Sequence, residues 1–460
     1  MLTDISKKNR LAVLVMIDTF SLLQKYTGIS KYSQSEVITP QNIVSDMVDL
    51  LPQEVFNPDA TFFDPAVKSG RFLIEIYHRL MASGLMKQAF TNEQDRSKHI
   101  LENQLYGFAT SQTAATVVRK ALYNDPTIVG NIHFTSGKVT KESVQGAFNN
   151  MRFDVVIGNP PYNKDIYINF ALLGKKLMKP SGYMVFITPA KWQAKGGDLN
   201  DKFRKEIVPY MSKIVFYPNC KDVFNINDPG GLSYYLVESK QSTVATVINR
   251  CERQGYFNNE DTRAVCGQRK TLNNLGQQIF EYIRTSAGYR PFSIESMPKN
   301  GRYEVWLNNK VSVGSAWDQT LYDKSGAFHC ISLCRVIDRT DTTNIMSVPD
   351  DSRLAAAFDS VSEGYSFQSW VYTKFVRFGV SNSLCGLTGI ATSDNWWRFV
   401  PDPGSWDCVY EDAPLPGYTP NPTTGVYLDA EGKKHCSLYV KYNLTHDEIK
   451  VIESVTKSRK

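Results

Sequence analysis

Residues 153–162 read FDVVIGNPPY, an apolar run from Phe153 to Gly158 that passes directly into Asn159-Pro160-Pro161-Tyr162. A short run of Val and Ile with no polar alternation is the pattern of a strand covered on both faces, as in parallel sheets. The polar, proline-stiffened loop then lies at the carboxyl edge of that strand, where open α/β sheets bind ligands.

The same unit recurs upstream and downstream. Strands are expected at Ala60–Phe63, Gln104–Ala109, Ile132–Thr135 and Tyr183–Thr188, with Asp64-Pro65 closing the first of them. Helical spacing is expected in 35–51 (Ile43, Val44, Met47, Val48, Leu51), after Gly70 (Phe72, Leu73, Ile76, Leu80), over Gln112–Tyr123 and over Phe170–Met178. Strands alternating with helices predict a doubly wound, Rossmann-like α/β domain. The strands near Ile214–Tyr217 and Leu232–Glu238 are expected at its antiparallel edge.

After about residue 260 the alternation stops, Gly, Pro, Ser and Asn become denser, and Trp306, Trp317, Trp370, Trp396, Trp397 and Trp406 gather. The reading is two domains, 1–260 and 261–460, the second mixed α+β and closed by a helix whose N-cap is Thr445.

Composition excludes several classes. With 42% hydrophobic and 21% charged residues, the 460-residue chain is neither disordered nor fibrous. Residues 1–20 carry acids and no small-residue cleavage site, and no apolar run is long enough to span a membrane, so a cytoplasmic protein is expected. The eight cysteines include no CxxC pair, and His329, Cys330 and Cys334 make an incomplete ligand set, so neither disulfides nor a metal are expected. A net charge of +6 is compatible with nucleic acid without identifying it.

The chemistry concentrates in 159–162. An exocyclic amine on a nucleobase or an amide is a poor nucleophile because its lone pair is delocalised. The Asn159 side-chain oxygen and the Pro160 carbonyl can each accept one amine hydrogen, which turns the lone pair toward an electrophile. Pro161 holds Pro160 extended, and Tyr162 offers a flat face for a planar base. Taken alone, the four residues also fit a plain proline turn after a strand.

The wider sequence resembles adenine-specific DNA methyltransferases of the Eco57I-like modification methylase family, in which the cofactor motifs precede the catalytic loop. ITPQNIV and FFDPAVKSGRFL resemble its cofactor motifs, VVIGNPPYN its catalytic loop, and WRFVP with LYVKYNLTHDEIKVIES its tail. The resemblance implies methyl transfer from S-adenosylmethionine to N6 of a flipped-out adenine in double-stranded DNA. It gives Asn159, Pro160, Pro161 and Tyr162 catalytic roles, and places Thr39, Pro40, Asp64, Pro65, Gly70, Thr110 and Phe170 around the cofactor. Phe224 is a candidate to clamp the target base, and equally fits a core phenylalanine. In SWVYTKFVRFGVSN, Lys374 and Arg377 share one helical face that could follow phosphates, with Phe375 and Phe378 packed inward; a solvated face on an amphipathic core helix fits as well. Any restriction activity would need a separate endonuclease subunit.

The pattern departs from the family at Lys68, where a glycine is usual, and at Ala109 and Lys138, where acids are usual. Those departures keep a second class open, a degenerate methylase fold acting as a DNA-recognition or inhibitory subunit. A third is methylation of RNA or of protein glutamine, which uses the same loop.

Overall fold

The computed structural model describes residues 38–193, 196–217, 220, 223–224, 231–250, 259–265, 272, 274–285, 289–308, 334–341, 352–383, 393–394 and 397–456. The expected helical start at 35–37, Trp317, Trp396, His329 and Cys330 lie outside them. By packing, the chain divides into two compact units: 1–188 with 201–214 and 234–245, and 189–200 with 215–233 and 246–460.

The first unit is built on β1 (Phe62–Val67), β2 (Leu105–Ala109), β3 (Ile132–Phe134), β4 (Phe153–Gly158) and β5 (Met178–Pro189). With β6 (Met211–Tyr217), β7 (Leu232–Glu238), β8 (Ala245–Asn249) and β9 (Asn259–Arg263), the strand order is β3-β2-β1-β4-β5-β7-β6-β8-β9. The pairs β1/β2, β2/β3, β1/β4 and β4/β5 are parallel. The chain moves outward from β1 to β3 and then returns to β4 on the other side of β1. That reversal is the switch point of a doubly wound sheet, and it opens a crevice beyond the ends of β1 and β4.

Two expectations change. The pair β6 and β7 is not an edge, because β7 lies between β5 and β6 and the order continues through β8 and β9. Asp64 and Pro65 do not end the first strand. They sit inside β1, whose register against β2 slips between Asp64 and Val67. Pro65 has no N–H for the ladder, so a local irregularity lets Ala66 and Val67 resume the strand.

The helices of this unit are α1 (Gln41–Val48), α2 (Arg71–Ala82), α3 (Gly84–Ala89), α4 (Glu93–Asn103), α5 (Gln112–Tyr123), α6 (Lys141–Ala147) and α7 (Ile166–Leu177). α8 (Asp198–Glu206) follows. Apolar side chains at Ile43, Val44, Met47 and Val48 bury one face of α1. Arg79 of α2 holds α1 in place through Asp49 at 2.6 Å and Ser45 at 3.0 Å. Beneath, Phe63 of β1 stacks on Phe153 of β4 at 4.5 Å and meets Phe148 edge-on. At the amino end of the same two strands, Asp154 accepts hydrogen bonds from Thr61 and Lys179, which fixes the β1–β4–β5 register.

The second unit contains α9 (Asn274–Thr285), α10 (Val361–Tyr372), α11 (Lys374–Ser383), α12 (Leu438–Lys441) and α13 (His446–Val455). Two three-stranded sheets accompany them: β10 (Tyr303–Asn308), β11 (Cys334–Asp338) and β12 (Ser352–Phe358) in the order β11-β10-β12, and β13 (Val409–Glu411), β14 (Val426–Leu428) and β15 (Lys434–Ser437) in the order β13-β15-β14. Of the gathered tryptophans, Trp370 and Trp397 lie in its core with Trp406 packed against them; Trp370 stacks on Trp397 at 5.7 Å and Phe292 meets Trp370 at 4.6 Å. Thr445 caps α13 in a capping box with Glu448, as the sequence indicates. Among the described residues, no helix is long and apolar enough to cross a membrane.

Candidate active site at the ends of β1 and β4

Asn159 follows the last residue of β4 and is 3% exposed. Its side-chain amide donates to the Thr39 hydroxyl at 3.1 Å, and Thr39, just before α1, is also buried. The carbonyl of Thr39 accepts from the Arg71 guanidinium at 2.7 Å. Arg71 is the first residue of α2, so one short relay joins the segment before α1, the start of α2 and the end of β4.

Asp64 lies beside them on β1 and is 2% exposed. Its Oδ1 accepts from the Ala66 N–H at 2.9 Å. Burial pushes the carboxyl up to about 7, opposed by that N–H and by the charge of Lys68. Gly158 makes this placement possible. A Cβ there would stand 2.6 Å from Asp64 Oδ1, so the strand end must be bare where the carboxylate crosses it. Gly70 is needed for a different reason: it adopts φ +76° at the start of α2, a conformation that side-chain-bearing residues rarely take.

Thr39, Asp64, Gly70 and Asn159 line one cleft, together with Ile38, Ala66, Lys68, Ser69, Arg71 and Phe72. The lining carries one buried carboxyl, Asp64, and two cations, Lys68 and Arg71. Pro160 is buried directly after Asn159, while Pro161 and Tyr162 are half-buried. Of the other expected cofactor residues, Pro40 caps α1, Pro65 is buried within β1, Thr110 donates its N–H to the Val67 carbonyl at 2.9 Å, and Phe170 is half-buried on α7. These four are not among the residues lining the cleft. Lys68, Arg71 and Gly158 are parts of the site that the sequence reading did not assign to it. The adjacency of β1 and β4 was the missing information for Gly158.

The second unit places the remaining candidates. Phe224 is 3% exposed and its N–H is bonded to the Cys220 carbonyl at 2.7 Å, which fits the core-phenylalanine alternative. Residues 374–383 form the helix α11, with Phe375 and Phe378 packed inward. Both basic residues of the expected phosphate-following face have partners within the unit. Arg377 is 2% exposed and donates to the Thr373 carbonyl at 3.2 Å, while Lys374 is ion-paired with Glu453. Asp412 accepts the N–H groups of Lys374 and Phe375 at the start of α11, and Arg377 acts on its charge. The helix is therefore turned so that Arg377 is buried, while Lys374 pairs at the surface.

Residues 18–191 match the family described as N-6 DNA Methylase, and residues 162–224 match that described as Eco57I restriction-modification methylase. The chain is 24% identical over 337 residues to an uncharacterised adenine-specific methylase of Mycoplasma pneumoniae, covering 55% of this chain and 78% of that protein. Among solved structures, the modification subunit of a type I restriction enzyme from Vibrio vulnificus is 14% identical, with a TM-score of 0.40. That match covers 55% of this chain and 54% of the other, so this chain spans about half of it. A class I S-adenosylmethionine-dependent methyltransferase from Listeria monocytogenes is 15% identical with a TM-score of 0.34, covering 51% and 73%.

Proposed function

We propose that this chain, which carries an N-6 DNA methylase region over residues 18–191 and an Eco57I-type methylase region over 162–224, is a site-specific adenine N6-methyltransferase of a restriction-modification system. The observation that carries the reading is the placement of Asn159 at the end of β4, its amide fixed by Thr39, in one cleft with Asp64.

S-adenosylmethionine, when bound, supplies a methyl group activated by its sulfonium. Thr39, Asp64 and Gly70 would hold it, Asp64 through the ligand's positive charge. The chain's own part is to present the nucleophile. The side-chain oxygen of Asn159 and the carbonyl of Pro160 each accept one hydrogen of the target amine. That draws its lone pair out of the ring and aims it along the transfer direction. As the new N–C bond forms, the sulfonium–methyl bond would break to leave a neutral thioether, and the amine nitrogen would lose one proton to solvent. Tyr162 stacks on the extruded base and holds it in register.

Residues 261–460 are assigned to target recognition, and double-stranded DNA is the substrate; a separate endonuclease subunit would complete a restriction system. Photocrosslinking to bromouracil-substituted DNA should place the base contacts in 261–460. The decisive test is transfer of labelled methyl to DNA. Asn159→Ala should lower it by at least about a hundredfold, the scale for losing a transition-state hydrogen-bond partner. Near wild-type transfer by that variant would overturn the reading.

A further inference from the structure

The polar contacts between α1 and α2 form a ladder along one side of α2. Arg71, Glu75 and Arg79 follow one another at helical spacing, so their side chains leave the same face of the helix. Arg79 reaches Ser45 and Asp49, and Glu75 accepts from the Gln41 side-chain amide and from Arg79, each at 2.9 Å. Arg71 donates to the Thr39 carbonyl at 2.7 Å. The rungs at Glu75 and Arg79 hold α1 itself. The rung at Arg71 holds the segment leading into it, where the Thr39 hydroxyl takes the Asn159 amide.

Arg71 stands against local preference. It is 8% exposed and burial disfavours its charge. It also opens α2, whose first turn has no acid, at the helix end where the backbone dipole repels a cation. Helix stability alone would place an acid there. The segment it holds needs an outside anchor, because Pro40 at the start of α1 makes no side-chain cap bond and has no N–H of its own. Resting on the methylase reading, we propose that Arg71 is a positioning residue for methyl transfer, which fixes the Thr39 backbone and, through the Thr39 hydroxyl, the side chain of Asn159. A misplacement of about 1 Å at a reacting group can cost on the order of a hundredfold in rate, so a tether two bonds removed from the amine has leverage. The ladder supplies its own control. Arg79 is the same residue type on the same face, and it is not among the residues lining the cleft.

Single turnovers of labelled methyl into sheared chromosomal DNA free of modified adenine test this, using full-length wild type, Arg71→Met, Arg71→Lys and Arg79→Met. With enzyme and S-adenosylmethionine both saturating, neither partial unfolding nor weaker cofactor binding moves the rate constant. Arg71→Met should lower it at least about tenfold, and Arg71→Lys, which keeps a cationic donor, should bring it back to within about threefold of wild type. Arg79→Met should lower the melting temperature and keep the rate constant within about twofold. Should Arg71→Met not fold, Arg71→Gln, whose side chain is shorter and uncharged, takes its place in the comparison. A wild-type rate constant without the guanidinium of Arg71, or equal losses on replacing Arg71 and Arg79 by Met, would overturn the role of Arg71 and leave the methylase reading standing. No transfer by the wild type would overturn the methylase reading and this role with it.

Discussion

The side-chain amide of Asn159 and the hydroxyl of Thr39 are 120 residues apart in sequence and 3.1 Å apart in the structure, both buried. The bond holds the Asn159 amide nitrogen against Thr39, and in the proposed function it helps to fix the orientation of that side chain. Thr39→Val should lower turnover at least about tenfold, acting on kcat more than KM, and should cost about 1–3 kcal/mol for the stranded amide donor. Thr39→Ser keeps the hydroxyl and should restore both. Steady-state kinetics and denaturant melts of the two variants decide it.

Gly158→Ala is expected to be damaging although it adds one methyl group. The new Cβ would lie 2.6 Å from Asp64 Oδ1, so strand or carboxylate must move, at about 1–3 kcal/mol. Paired with Asp64→Ala, which removes the obstructing oxygen, the same change should cost less than it does alone. A double-mutant cycle on thermal stability would show that coupling. Additive losses would mean that the clash is relieved elsewhere.

Asp64 should make stability fall as pH rises. Its carboxyl is held up to about 7 in the folded chain against an ordinary value of 3.8, so between these the native state keeps a proton that the unfolded chain has released. The stabilising difference is present below pH 4, fades up to about pH 7, and is gone above it. Asp64→Asn should flatten this slope and raise stability at pH 8 by up to a few kcal/mol, while weakening binding of a cationic ligand. Such binding should itself strengthen through pH 7 and release protons below it, measurable by calorimetry in buffers of different ionisation enthalpy.

The salt dependence of DNA binding should not respond to Lys374 or Arg377. Arg377→Ala removes a buried cation that acts on the buried Asp412 and should cost about 2–4 kcal/mol of stability. Lys374→Ala breaks only a partly exposed pair with Glu453 and should cost under about 1 kcal/mol. If filter binding across a salt series gives a shallower slope for either variant, α11 touches phosphate after all.

Local patterns were legible where one chain segment carries the whole signal. Phe153–Gly158 and Gln112–Tyr123 form the elements their spacing indicates, and Thr445 caps the helix it precedes. The loop after β4 marked the candidate site for the same reason. Partners from distant segments were not legible. Nothing in the sequence near Gly158 says that Asp64 lies across it, and Arg71 looks like a helix-starting residue until its bond to Thr39 is seen. Lys374 and Arg377 share a helical face, but the sequence does not say which side of α11 faces Asp412 and Glu453. The β6–β7 pair was misplaced because strand order is a property of the whole sheet.

The relay from Arg71 through Thr39 to Asn159 also constrains how such chains can diverge. Its guanidinium grips a backbone carbonyl, so residue 39 may change its side chain without releasing Arg71, whereas its side chain must keep a hydrogen-bond acceptor to take the amide of Asn159. Descendants of a common ancestor should thus tolerate serine for threonine at 39 freely. They should lose the arginine at 71 only alongside a rebuilt approach to α1, which leaves a correlated pair of changes in the record of substitutions.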